Sequence, residues 1–222
     1  MFTPRHRIAA RVFPRYSRFL DQVNRNAMVM KWYGAHEHVP RLPDQTAYFE
    51  YIAKEIIKEE PVDYLEFGVF KGDSIRKWST MNSHVSSRFF GFDTFEGLPE
   101  EWNSRIGQGA FDVGGALPQI ADERVKFVKG LFQDTLPNFL SSFSPKSRLV
   151  VHNDSDLYSS TLYVLTMMVH LFKPGTIIMF DEFPSALHEF RAWQDFQSAY
   201  KRPVKPIAMT DDRAARVAFI FQ

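Results

Sequence analysis

From residue 62 onward the chain alternates short apolar runs with stretches of helical period, and no other feature restricts its fold as much. The runs at Val62–Phe67, Arg88–Asp93, 125–128, 148–152, 176–180, 204–209 and 216–221 read as strands, seven in all. Stretches at 74–81, 133–141, 159–172 and 185–200 carry apolar residues at helical spacing between most of them. Strands separated by helices do not close as hairpins, so the pattern predicts an α/β fold, a doubly wound and mostly parallel sheet with helices on both faces. Upstream, 46–59 repeats Ala47, Tyr48, Tyr51, Ile52 and Ile56 near the helical period until Pro61 stops it, which predicts an N-terminal helical extension.

At 222 residues and 45% hydrophobic composition the chain fits one structural domain, with a helical arm and lid region over 1–61 and the sheet domain over 62–222. Lys and Arg number 27 against 26 Asp and Glu, which gives no general electrostatic case for nucleic acid. The absence of cysteine excludes disulfides, thiolate metal sites and cysteine nucleophiles. The apolar run at 165–172 is too short to span a bilayer, and no apolar stretch follows the first charges as a signal peptide needs, so a cytoplasmic protein is expected. Arg5, Arg7, Arg11, Arg15 and Arg18, interleaved with Ile8, Val12, Phe13, Phe19 and Leu20, form a basic amphipathic arm. Packing of this arm on the domain or on a second subunit, giving a homo-oligomer, is the simplest expectation.

The stretch from Val62 to Ser74 runs a strand into Glu66, places Gly68 and Gly72 four apart, and opens a helix at Asp73 and Ser74. Gly68 permits a sharp turn, Gly72 a close helix approach, and Asp73 and Ser74 offer cap chemistry. Phe70 and Asp73 stand where a dinucleotide fingerprint needs its second and third glycines, so a pyrophosphate fits poorly. Glu66 and Asp73 put negative charge where a phosphate wants bare amide donors, which favours a cofactor carrying an ammonium and a sulfonium, S-adenosylmethionine. Asp93 ends the second strand, where an acid accepts the hydroxyls of an adenosine ribose or else caps the following turn. Gly130 and Asp134 suit the border of an adenine ring, or Asp134 caps a helix.

Four carboxylates gather at two strand ends: Asp154 and Asp156 after the fourth, Asp181 and Glu182 after the fifth. These strands are neighbours in a doubly wound sheet, so the acids converge at the carboxyl edge, where a hard cation such as Mg²⁺ or Ca²⁺ would relieve their repulsion. The alternative is a set of solvated acids capping the next two helices. Asp154-Ser155-Asp156 also matches the D-x-D pattern of metal-dependent glycosyltransferases, a reading that leaves the Gly68 turn unexplained. His36 and His38 lack the spacing of a helical zinc motif. The segment 96–124 holds Gly97, Gly107, Gly109, Gly114 and Gly115 with Trp102, Ile106, Phe111 and Leu117, which suits a lid.

Taken together, YLEFGVFKGDS, GFDTFEGLPEEW, VKGLFQDTLP, HNDSDLYSST and GTIIMFDEF resemble the macrocin O-methyltransferase family, class I S-adenosylmethionine-dependent enzymes that methylate sugar hydroxyls of antibiotics. The likeness runs over 62–183. It implies a Rossmann-like seven-stranded sheet whose last strand is antiparallel. The resemblance implies Glu66, Gly68, Ser74 and Asp93 around the cofactor, and Gly72, Thr94, Asp134 and Asp154 complete the expected cofactor contacts. The resemblance further implies Asp154, Asp181 and Glu182 as Mg²⁺ ligands and Asp156 as the base, with His152 a second candidate base. The chain departs from the family with Glu182 where a second aspartate is usual and with Ser155 in place of a glycine. The expected function is O-methyl transfer to a hydroxyl of a small sugar-bearing or polyhydroxylated metabolite, assisted by the divalent metal. A metal-dependent glycosyltransferase and a non-catalytic cofactor-binding domain are the alternatives.

Overall fold

The computed structural model describes residues 17–211 and 216–222. The chain falls into two compact units, Met1–Glu37 and His38–Gln222. In the first, helix α1 (Ser17–Ala35) ends with the Trp32 ring stacked on His36 at 4.3 Å. His36 Nδ1 donates to the Trp32 carbonyl at 2.7 Å. Of the basic arm, Arg5, Arg7, Ile8, Arg11, Val12, Phe13 and Arg15 lie outside the described residues, as does the side chain of Arg18.

The second unit is built on one sheet. Its strands are β1 (Arg41–Leu42), β2 (Val62–Phe67), β3 (Arg88–Asp93), β4 (Val125–Lys129), β5 (Arg148–Asn153), β6 (Ile177–Phe180), β7 (Val204–Thr210) and β8 (Val217–Phe221). They lie in the order β1-β7-β8-β6-β5-β2-β3-β4, parallel except that β8 runs antiparallel to both β6 and β7. Each of the seven runs seen in the sequence forms a strand, and the last is antiparallel. The eighth strand, β1, is only two residues long and pairs with β7 through Arg41 opposite Met209. A two-residue strand has no periodicity to read; hydrogen bonds from Met209 N to Pro40 O and from Asp211 N to Leu42 O define it.

The helices are α2 (Gln45–Tyr51), α3 (Asp73–Met81), α4 (Phe132–Ser142), α5 (Tyr158–Met168) and α6 (Glu189–Tyr200). Asp44 caps α2 by accepting from Ala47 N at 2.9 Å, and the helix passes into a π-helical turn over Ile52–Ile57. Helix α6 starts four residues later than the pattern 185–200 suggested, because 181–188 turns first. Among the described residues no helix is long and apolar enough to cross a membrane.

Two aromatic layers hold the sheet. On one face Tyr48 and Phe49 of α2 and Trp78 of α3 pack with Tyr64, Val150 and Met179. On the other, Phe67 stacks on Phe92 at 4.8 Å and meets Phe132 of α4 edge-on at 5.4 Å. Every position of β2 is buried, as expected for a central strand covered on both faces. Fully burying each such side chain contributes roughly 1.5–3 kcal/mol relative to exposure. Asp63 is tolerated in this strand because its oxygens accept from Arg88 Nε at 2.6 Å and from the amides of Lys146 and Ser147 at 2.6 and 2.9 Å. The chain order reverses between β2 and β5, and a doubly wound sheet opens its ligand crevice at that point, outside the strand carboxyl ends.

Candidate active site

At this switch point a cavity of about 250 Å³ is lined by Gly68, Asp93, Thr94, Asp154, Asp156 and Glu182, with Trp102 and Phe111 of the 96–124 segment and Phe132 and Gln133 of α4 completing its walls. The segment is ordered by its own pairing, Leu98 N to Ala110 O at 2.8 Å and Gly109 N to Leu98 O at 2.9 Å. Gly68 has φ +93, and a Cβ there would lie 1.8 Å from the main-chain oxygen of Asp154. The turns after β2 and β5 therefore meet backbone to backbone, and a side chain is excluded.

Asp93 fastens these turns. Its Oδ2 accepts from Val69 N and Phe70 N, both at 2.8 Å, and its Oδ1 accepts from Phe95 N at 2.8 Å. Asp93 thus caps the turn and also lines the cavity. Phe70, Phe111 and Asp156 all line the cavity with positive φ, at 52, 65 and 60°. Such conformations cost energy outside glycine and tend to gather at functional sites.

Of the expected cofactor contacts, Gly68, Asp93, Thr94 and Asp154 line the cavity and Glu66, Gly72, Ser74 and Asp134 do not. Gly72 is the left-handed N-cap of α3, and its role is packing, since a Cβ there would press on Pro118 at 2.8 Å. Asp73 pairs with Arg76 at 3.1 Å, and Ser74 lies inside the first turn. Asp134 sits in the first turn of α4, whose N-cap is Leu131, so the neighbouring Gln133 takes its place at the wall. Strand alternation points Glu66 to the face covered by α2, where Tyr64 Oη donates to its Oε2 at 2.5 Å.

His152 stands opposite Glu66 in the β2–β5 register and is fully buried. Its Nδ1 donates to Tyr64 Oη at 2.8 Å and lies 3.3 Å from Glu66 Oε2, while Nε2 faces Asp181 Oδ1 at 3.7 Å, an ion-pair distance too long for a hydrogen bond. Burial alone would lower its pKa, yet the carboxylates of Asp181 and Glu66 raise it to about 10. His152 is thus enclosed between carboxylates and does not line the cavity.

The acids divide into different environments. Burial, then the charges of Glu182, Asp181 and Asp93, raises Asp156 to about 7. Burial, then Asp181, pushes Asp154 well above the usual carboxylate range. Asp181 goes the other way: despite its burial, His152 and Arg216 hold it at about 2. Glu189, at the start of α6, is fully buried and raised by desolvation and by the charge of Asp154. Its Oε1 accepts from Asn153 Nδ2 and its Oε2 from Glu182 N, each at 3.0 Å, so one side chain ties the β5 and β6 ends together. Sequence reasoning missed Glu189, Tyr64 and Arg216. An acid at a helix start is a common surface feature, and only the strand register sets the other two against His152 and Asp181.

The donor set suggested by the resemblance does not fit a divalent cation as arranged. Among the described residues the acidic and imidazole groups whose ligand atoms lie within 4.8 Å of one another are His152, Asp154 and Asp181; Glu182 is outside that group. Arg216 holds both oxygens of Asp181, Nε to Oδ1 at 2.6 Å and Nη2 to Oδ2 at 3.1 Å, and Gln45 Nε2 adds a contact to Oδ1 at 3.3 Å. Mg²⁺ demands octahedral oxygen ligands, which an imidazole nitrogen and a fork-bound carboxylate do not supply.

With this geometry in place, the chain can be compared with known proteins. Residues 41–217 match the family model of macrocin-O-methyltransferase (TylF). A tetracenomycin-type relative from Streptomyces olivaceus, 8-demethyl-8-(2,3-dimethoxy-alpha-L-rhamnosyl)-tetracenomycin-C 4'-O-methyltransferase, is 29% identical over 157 residues, 59% of this chain and 58% of that protein. Mycinamicin III 3''-O-methyltransferase of Micromonospora griseorubida is 26% identical over 163 residues, 59% of this chain and 61% of that protein. The chain therefore spans less than two thirds of the length of the relatives it matches. Among solved structures, a calicheamicin methyltransferase superposes with a TM-score of 0.62 at 18% identity, covering 99% of this chain and 94% of the other, a likeness of fold. The family match extends over most of the chain, and the protein belongs to the macrocin-O-methyltransferase family.

Proposed function

We propose that this protein is an S-adenosylmethionine-dependent O-methyltransferase that acts on a hydroxyl of a sugar or of a small glycosylated metabolite, with Asp156 as the general base. The observation that carries this reading is Asp156 itself: a carboxylate raised to about 7, held at positive φ, in the wall of the cavity that Gly68 and Asp93 also line. Family membership supports the reaction class, and the two relatives are named for O-methylation.

The cofactor supplies an electrophilic methyl group on a sulfonium. This chain's own residues do the rest. The Gly68 turn lets the backbone come close, and Asp93 keeps that turn fixed while presenting a carboxylate to the cavity. Phe70, Trp102, Phe111 and Phe132 give the cavity apolar walls against which donor and acceptor can be aligned for in-line transfer. Asp156 accepts the proton of the acceptor hydroxyl, and a base with a pKa near the working pH is the effective kind.

Calorimetry with S-adenosylmethionine, followed by incubation with a labelled methyl donor and a panel of glycosides and nucleotide sugars, tests the reading. A mass gain of one CH₂ on a sugar hydroxyl is expected. Binding of a nucleotide sugar with no affinity for the methyl donor would instead support a glycosyltransferase.

A further inference from the structure

We propose that Arg216 is the resident cation of this site, a positioning residue that occupies the acidic edge of the sheet in place of a divalent metal and makes the enzyme metal-independent. The inference rests on the methyltransferase reading for its consequence in turnover, but its physical content is the pairing of Arg216 with Asp181.

The pairing follows from topology. β8 runs antiparallel to β6 with Val217 opposite Phe180, so the next pair in register is Arg216 opposite Asp181, at the carboxyl end of β6. The main chain of Arg216 is fixed there, its N–H donating to Thr210 Oγ1 at 2.9 Å and its carbonyl accepting from Thr210 N at 3.0 Å. The guanidinium reaches Asp181 with two nitrogens, at 2.6 and 3.1 Å, and both side chains are only 11% exposed. This is the planar two-point geometry in which arginine binds a carboxylate best. Gln45 and His152 close the remaining approach to Oδ1.

Binding of a metal through Asp181 would have to displace this buried two-point pair, a costly exchange. Asp181, which would complete a metal-holding group with His152 and Asp154, already carries a guanidinium on both of its oxygens. The cation that the family resemblance assigns to an ion is, in this chain, the side chain of the residue that leads into β8. Asp181 keeps its position at the strand end but loses its vacancy as a ligand. The same charge then orients Asp181 at the end of β6 without an exchangeable ion.

Direct titration with Mn²⁺ alone, read by the loss of its free electron paramagnetic resonance signal, tests this without reference to turnover. Wild-type protein should leave the signal of the free ion unchanged, and its methyl transfer should survive excess EDTA. Arg216→Ala uncovers Asp181 beside Asp154 and should gain stoichiometric Mn²⁺ binding that Asp181→Asn in the same background abolishes. Its turnover should fall at least about 10-fold and recover in part with Mn²⁺, whereas Arg216→Lys, which keeps the charge, should lose less and gain no metal. Stoichiometric binding of Mn²⁺ by the wild type, abolished by Asp181→Asn, would overturn the proposal, and that experiment needs no arginine variant to fold. An Arg216→Ala protein that folds, turns over at the wild-type rate and binds no ion would overturn it as well. Should no acceptor be methylated, the metal titration still decides the question, so failure of the functional reading and failure of this inference are distinguishable.

Discussion

The main-chain oxygen of Asp154 lies 1.8 Å from where a Cβ on Gly68 would be, so the turns after β2 and β5 share a space that holds only backbone. Gly68→Ala must move one of those turns and also adopt a positive φ that alanine disfavours. A loss of about 2–4 kcal/mol in urea unfolding is expected, together with loss of cofactor binding in calorimetry. Gly107→Ala is the control, because nothing lies within 4 Å of its added methyl group; it should unfold like the wild type.

Asp93 accepts from three main-chain amides on two turns. Asp93→Ala leaves those donors to find water in a partly buried turn, so stability and cofactor affinity should fall together, each by about 1–3 kcal/mol. Melting curves and calorimetry on one preparation check this. A large affinity loss with an unchanged melting temperature would show that Asp93 serves only the ligand.

Asp156→Asn keeps shape and tolerates the same left-handed backbone, but it cannot take a proton. Turnover should drop about 10²- to 10⁴-fold with cofactor affinity nearly intact. The wild-type rate should rise with pH through about 7 and then level, because the base acts only when deprotonated. Stability runs in the opposite sense. A carboxyl whose folded pKa is raised favours folding while protonated, and that contribution is lost as pH rises through about 7. Above that pH, D156N should melt at or above the wild-type temperature, and a pH-independent wild-type rate would remove Asp156 from the proton-transfer step.

Both oxygens of Glu189 act as acceptors, one from Asn153 Nδ2 and the other from Glu182 N. Glu189→Ala orphans two donors, and Glu189→Gln turns an amide NH₂ toward one of them. Each substitution should cost about 1–3 kcal/mol in chemical unfolding. Each should also lower kcat more than cofactor affinity, because Glu182 and the end of β5 lose their shared anchor. A Glu189→Gln variant with wild-type stability would show that the donors have another acceptor.

Much of this molecule is written locally in its sequence. Seven strands follow from apolar runs bounded by turn residues, and the Gly68 turn, Asp93, Thr94, Asp154 and Asp156 fall at strand ends, where a doubly wound sheet gathers its ligand groups. Those features depend on periodicity and on which residues permit a turn, both of which a linear reading contains. What tertiary structure alone decided is what each carboxylate faces. Period-2 alternation says that Glu66 and Tyr64 share a face, but only the pairing of β2 with β5 puts His152 opposite Glu66 and turns the pair under α2, away from the cavity. The insertion of β8 between β6 and β7 brings Arg216, 35 residues along the chain, onto Asp181. Strand order and register join distant segments through hydrogen bonds that no local pattern encodes, so the sequence names the acids while the sheet assigns their partners.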